Sequence, residues 1–350
     1  MLIPRESEFY PRLEALRGMA AVCVAAMHAA HPPDLPVSDL LSRAVAIILN
    51  GQGAVNFFFV LSGFVLSASL ASTASTGFAR FAGRRLLRLL PAIWISLAIL
   101  IPVYAHLKAG ALVPSNLSAR RIVENLLLVD TSLNGLMWSI QVEAVAIPLV
   151  YLLHRLKLAI GGSALIISAA ILFALSFDNR WAAGFGYGVS LTPLLAFALG
   201  MIVYRYRPHY SSTMTWCLLV ISAALFCLPR LFLGTSASDY RWITILESIA
   251  SASLISIVIC ESRLKMAAFL DRTIPRFYGR ISYSLYLLHP LALVALFNRF
   301  PYRSLYEGGM PATAVSALLV LLTFAMTTPV AWLTWKLIER PGIRLGRAMG

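Results

Sequence analysis

Apolar stretches of about twenty residues follow one another along this chain, separated by short polar segments in which arginine recurs. A helix crossing a hydrocarbon core about 30 Å thick needs about 20 such residues. Ten stretches meet that length, approximately 13–30, 53–70, 86–106, 136–154, 158–177, 185–204, 213–233, 242–260, 281–298 and 312–335. The pattern predicts an all-α polytopic integral membrane protein of about ten transmembrane helices. Every connecting segment is short, so one domain over 1–350 with no soluble accessory domain is expected. A short apolar piece, 44–49, leads into the second span and is cut off by Asn50-Gly51-Gln52-Gly53, which marks it as interfacial or re-entrant. The first run, Gly18 to Ala30, follows Arg5 and Arg12 and ends in small residues that mimic a signal-peptide cleavage site. Its flank is acidic (Glu6, Glu8, Glu14) and Arg17 and His28 accompany it, so retention as a span is expected.

Composition agrees with the pattern. The 350 residues are 59% apolar and 13% charged, with a mean hydropathy of +0.79; soluble proteins average about 45–50% and about 25%. These values exclude a soluble enzyme, a disordered chain and a nucleic-acid-binding module. The net charge of +14 is carried in clusters between apolar runs, as membrane proteins carry it. Alternate loops hold 20 and 9 of the 29 lysines and arginines, which places both termini in the cytoplasm. Cys23, Cys217, Cys227 and Cys260 are scattered through apolar segments without paired spacing, so neither a disulfide framework nor a metal site is expected.

A charge at mid-bilayer costs about 2.5–3.5 kcal/mol, so each buried polar group calls for a reason. Arg17 and His28 are eleven residues apart on the first span. At about 100° per residue both lie on one face, ~16 Å apart along the axis. Asn56 stands near the outer end of the second span, among the small residues Gly53, Ser62 and Gly63, which permit close helix packing. In Trp138-Ser139-Ile140-Gln141-Val142-Glu143, the carboxylate of Glu143 falls about 10 Å inside the outer face, where pairing with His28 would satisfy both. Glu247, close to the outer end of its span, has the character of a structural acid. Arg84, Arg85 and Arg88 open the third span, with Arg84 and Arg88 one turn apart. They serve either as a positive-inside anchor or as a phosphate pocket, because guanidinium forks match phosphate bidentately. His28, Asn56 and Glu143 in the outer half, with Arg17 and the arginine cluster at the inner edge, suggest a phosphate-bearing ligand entering from the cytoplasm and proton chemistry nearer the outside.

The chain also resembles the acyltransferase 3 family of bacterial membrane O-acyltransferases. The resemblance rests on Tyr10–Gly18 followed by His28, on Phe57–Phe64, on Arg84–Trp94 and on Trp138–Glu143, which is similar to the family's Trp-Ser-x-x-x-Glu signature. Gly279–Pro290 and Glu339-Arg340-Pro341 extend it almost to the end of the chain. It implies transfer of an acyl group, commonly acetyl, from acyl-CoA as co-substrate to a saccharide or glycolipid hydroxyl at the outer face of a bacterial inner membrane. No metal is implied. By resemblance His28 is the catalytic histidine and Arg17 its paired arginine. This chain departs from the family with Asn56 where aspartate is usual and with Ala144 after the signature glutamate.

On these residues an acyltransferase would use neutral His28 as general base, with Glu143 fixing its tautomer and stabilising the imidazolium, and Asn56 or a backbone N–H bonding the oxyanion. Arg17, Arg84, Arg85 and Arg88 would hold the CoA phosphates. The competing reading is a multi-pass carrier or flippase for a saccharide or glycolipid, which predicts internal repeats and interrupted helices in matching halves; neither is visible in the sequence.

Overall fold

A computed structural model describes residues 10–33, 35, 44, 47–72, 77–177, 191–233, 237–260 and 265–348. Every regular element among them is helical. In chain order these are α1 (Pro11–Ala30), α2 (Gly51–Ser72), α3 (Phe78–Leu107), α4 (Ala119–Leu126), α5 (Met137–Ile160), α6 (Ser163–Leu175) and α7 (Thr192–Tyr206). They continue with α8 (Ser212–Cys227), α9 (Pro229–Phe232), α10 (Ala237–Cys260), α11 (Thr273–Arg299), α12 (Tyr302–Glu307), α13 (Ala312–Thr334) and α14 (Arg340–Ala348). A 3₁₀ turn, Lys265–Asp271, precedes α11, and a π-helical turn, Trp335–Glu339, joins α13 to α14.

Among the described residues six helical segments are long and apolar enough to cross a membrane: Pro11–Ala30, Gly51–Ser72, Phe78–Leu107, Asp239–Cys260, Thr273–Arg299 and Ala312–Gly346. The other four expected crossings fall on α5, of 24 residues, and on α6, α7 and α8, of 13, 15 and 16. The differences have local causes. Gly161, at φ +89°, ends α5 and divides the expected 158–177. Pro229, lacking an N–H, follows the end of α8 and divides 213–233. Residues 185–190 of the sixth expected span lie outside the described residues, as do 45–46 of the expected interfacial piece and 1–9 of the acidic flank. A 13-residue helix rises only ~20 Å, less than the core it was expected to cross.

The helices assemble as two compact units. The first comprises Met1–Ala20, Gln52–Gly83 and Val142–Gly279. In it α10 packs on α7 and α8, and α6 packs on α7. Helices α2 and α7 approach until backbone meets backbone. A Cβ on Gly63 would stand 2.1 Å from the Phe197 carbonyl oxygen, and one on Gly200 2.0 Å from that of Val60. Only glycine fits on either side of that crossing. Phe59 stacks on Phe197 beside it, and Tyr10 and Tyr204 meet Phe64 edge-on. Gly18 and Gly279 do the same for α1 and α11, where a Cβ on Gly18 would lie 2.3 Å from the Gly279 nitrogen. The 3₁₀ turn places Ala267 and Leu270 on Ala15. It also presents Asp271 to Arg12 at 2.8 Å and to Arg276 at 3.2 Å. The Arg12 hydrogen bond, with help from Arg276, holds the Asp271 carboxyl below the usual range although burial opposes it.

The second unit comprises Ala21–Gly51, Arg84–Gln141 and Arg280–Gly350. Its core joins Ala29 of α1, Leu293 and Leu296 of α11, Tyr302 of α12 and Val315 and Leu319 of α13. A second cluster sets Leu100 and Tyr104 of α3 against Val294 of α11. Helix α14 runs against α3 on Gly342 and Gly346, whose added Cβ atoms would lie 2.7 Å from the Leu87 oxygen and 3.4 Å from that of Arg84. The loop between α4 and α5 is organised by Asp130. Burial pushes its carboxyl up, but hydrogen bonds from Ser132 and Asn125 and from the N–H groups of Thr131 and Ser132 bring it below its ordinary value.

Candidate functional site

The polar groups singled out from the sequence divide between the two units. In the second, α1 and α11 bring together two imidazoles. His28 Nδ1 lies 3.2 Å from His289 Nε2, with the ring planes 21° apart and their centroids 5.3 Å apart. His28 is half-buried and His289 fully buried. The far nitrogen of His289, Nδ1, faces the Leu285 carbonyl one turn back on α11 at 3.3 Å. Tyr286, on the same helix, meets the His289 ring edge-on at 6.1 Å. Its hydroxyl bonds Ser139 Oγ at 2.8 Å, and both hydroxyls reach the Leu136 carbonyl. His31, one turn past His28, donates from Nδ1 to the Met27 carbonyl at 2.8 Å, so it is satisfied locally.

Arg84, Arg85 and Arg88 lie in the first turns of α3, all half-buried. Helix α14 lies against this stretch and brings Arg340 and Arg344 to the same end of the unit. Arg280 and Arg340 both stand over the Trp335 ring, at 6.0 and 5.7 Å. Glu339, buried in the π-helical turn, accepts a hydrogen bond from Ser284 of α11 at 3.0 Å.

In the first unit, the Arg17 guanidinium donates to the Gly279 carbonyl at 3.0 Å, next to the Gly18–Gly279 crossing. Asn56, fully buried, donates from Nδ2 to Glu247 Oε2 at 2.6 Å. The other carboxylate oxygen of Glu247 accepts from Arg230 Nε at 2.9 Å. This arrangement explains why residue 56 is an amide in this chain. An aspartate there would set two carboxylates against each other, and one would have to take up a proton. Asn56 Oδ1 and Arg230 Nη2 find no hydrogen-bond partner among the described residues. Glu143, half-buried on α5, accepts from Ser62 Oγ at 3.4 Å.

The partner the structure gives His28 is thus an imidazole that carried no role in the sequence reading. The signal was present. His289 is a titratable group in a 27-residue apolar helix, which calls for a partner on the same grounds that single out His28. Arg230, which no local pattern in the sequence ties to Glu247, gives that acid an ion-pair partner. Among the described residues no three or more His, Cys, Asp or Glu side chains gather as a metal site would.

Comparison with known proteins yields one match. The acyltransferase 3 family model, described as an acyltransferase domain, matches residues 10–336. No curated protein matches the chain, and no solved structure does.

Proposed function

Since the chain belongs to the acyltransferase 3 family, we propose that it moves an acyl group from cytoplasmic acyl-CoA to a hydroxyl of a saccharide or glycolipid at the outer face of a bacterial inner membrane. Acetyl-CoA is the first candidate donor. The proposal keeps one membrane domain of ten crossings with both termini cytoplasmic, the arrangement favoured by the distribution of Lys and Arg, with the short α6 crossing where the bilayer thins around it.

The observation that carries the reading is the His28–His289 pair. A saccharide hydroxyl is a weak nucleophile at neutral pH and needs a base within hydrogen-bond reach. Neutral His28, half-buried and held by a buried partner, is suited to that task. In the proposed step the hydroxyl oxygen bonds to the thioester carbonyl carbon as its proton passes to His28. Collapse of the tetrahedral intermediate breaks the carbon–sulfur bond. The imidazolium then returns the proton to the departing CoA thiolate, leaving an ester, free CoA thiol and neutral His28. Glu143 and Asn56 are proposed as charge-stabilising groups, a carboxylate for the imidazolium and, for the oxyanion, the amide hydrogen of Asn56 that Glu247 does not take. Arg17, Arg84, Arg85 and Arg88 are proposed to hold the CoA phosphates, where the planar guanidinium fork is the favoured donor.

The test is chemical. Membranes carrying the protein, supplied with acetyl-CoA, should release CoA thiol and gain ester-linked acetyl in the envelope glycan. Saccharide uptake or flipping with no thiol release would instead establish the carrier.

A further inference from the structure

We propose that His289 is a positioning residue that fixes which nitrogen of His28 carries the proton. The inference rests on the acyltransferase reading with His28 as base and adds to it a hydrogen-bond chain within one unit.

The chain is directional because its end is a carbonyl. The Leu285 oxygen has only lone pairs, so His289 Nδ1, 3.3 Å away, must be the protonated nitrogen. In a neutral imidazole the other nitrogen is then an acceptor. His289 Nε2 therefore presents a lone pair to His28 Nδ1, and the 3.2 Å contact is a hydrogen bond only if His28 Nδ1 bears the hydrogen. That leaves the lone pair of His28 on Nε2, at the edge of a half-buried ring. The Leu285 carbonyl thus sets His289, and His289, together with the Val24 carbonyl one turn back on α1, sets His28, which leaves Nε2 as its basic nitrogen. The arrangement does what a carboxylate does for the histidine of a hydrolytic triad, but with a neutral group. Full burial of His289 favours it remaining neutral, since a charged imidazole there would have no carboxylate to offset it among the hydrogen-bond partners described above. Its ring is also braced at the edge by Tyr286.

Substitution separates this role from packing. The amide of a glutamine ends near where Nε2 of a histidine sits, so His289→Gln keeps an acceptor for His28 Nδ1, whereas His289→Leu fills the space without one. His289→Leu should lower kcat by roughly 100-fold, the scale of general-base catalysis, with the KM for acetyl-CoA unchanged. His289→Gln should recover most of that loss. Ring-nitrogen NMR of labelled histidine in the full-length protein in lipid nanodiscs gives a readout independent of turnover. His28 should show a protonated Nδ1 in wild type and in His289→Gln, and a mixture of tautomers in His289→Leu. His28→Ala assayed alongside keeps the two claims apart. If His28→Ala transfers acetyl normally, the assignment of the base fails. If His28→Ala is inactive while a folded His289→Leu keeps wild-type kcat, or if wild-type His28 is protonated on Nε2, the role of His289 is overturned.

Discussion

Nδ1 of His28 stands 3.2 Å from Nε2 of His289, although 261 positions separate the two residues in the chain. The contact joins the first helix to the eleventh within one unit. Its chemistry differs from that of a histidine–carboxylate pair. A neutral imidazole orients its neighbour but offers no negative charge to an imidazolium, so the charge formed during transfer must be balanced elsewhere.

Glu143 is the carboxylate proposed for that task, and its substitution isolates the charge. Glu143→Gln keeps an acceptor for Ser62 Oγ, so the fold should persist. Turnover should fall roughly 10- to 100-fold, within the range that acid–base partners contribute, with the KM for acetyl-CoA unaltered. Unchanged kcat in a folded Glu143→Gln protein would return Glu143 to a structural hydrogen bond.

For Arg85 and Arg88 the contrast lies between charge and shape. A positive-inside anchor needs only charge, and lysine at either position would serve it. A phosphate clasp needs the bidentate fork. Arg85→Lys and Arg88→Lys should each raise the KM for acyl-CoA about five- to thirty-fold, as expected from losing about 1–2 kcal/mol of charged hydrogen bonding, with acceptor dependence little changed. Steady-state kinetics against donor concentration check this. Equal KM values in all three proteins would reduce the cluster to an anchor.

The Arg230–Glu247–Asn56 group bears on stability. Glu247 is fully buried and ion-paired to Arg230 at 2.9 Å. Removing only the arginine takes away that charge partner while the carboxylate stays buried, and breaking a buried pair in this way costs about 3–5 kcal/mol. Arg230→Leu should therefore lower the thermal midpoint in detergent strongly. The double change Arg230→Leu with Glu247→Leu should be much less harmful, because apolar replacement of a whole buried pair is often close to neutral. Additive losses in the double variant would show that the two residues act independently.

Asp130 supplies a pH dependence outside the spans. Hydrogen bonds in the folded loop outweigh burial and lower its carboxyl pKa relative to the unfolded chain. A lowered folded-state pKa stabilises above the unfolded value, and the contribution is lost as pH falls through the folded one. Hydrogen exchange at the Thr131 and Ser132 amides should thus be protected near neutrality and quicken on acidification below the ordinary aspartate range, beyond the intrinsic pH dependence of exchange. Asp130→Asn should remove that response. A loop whose protection is unaffected by acid would contradict the account.

How much of this was legible beforehand depends on the range of each interaction. The length of apolar runs locates the helices that coincide with expected spans, and the small size of Gly63 marks a close crossing before its partner is known. Where helices stop is set by single residues inside apolar runs, such as Gly161 at φ +89° and Pro229, which averaging over a window overlooks. Partnerships are long-range. Asn56 meets Glu247 191 positions away, and nothing near either residue announces the other. The same holds for His28, for which the sequence offered a carboxylate because carboxylates are the usual partners, while His289 went unweighed within a recognised motif. The loop around Asp130 is local but depends on backbone N–H directions that composition does not encode.

The most direct measurement of the central claim follows the acyl group itself. Membranes bearing wild-type protein or His28→Ala at equal abundance are given acetyl-CoA labelled in the acetyl group, and label is counted in the envelope glycan after mild alkaline release. The account predicts ester-linked label with wild type and background with His28→Ala, while photo-crosslinking to an acyl-CoA analogue is the same for both. Equal label with the two proteins, or label from neither while a saccharide crosses the membrane, would contradict it.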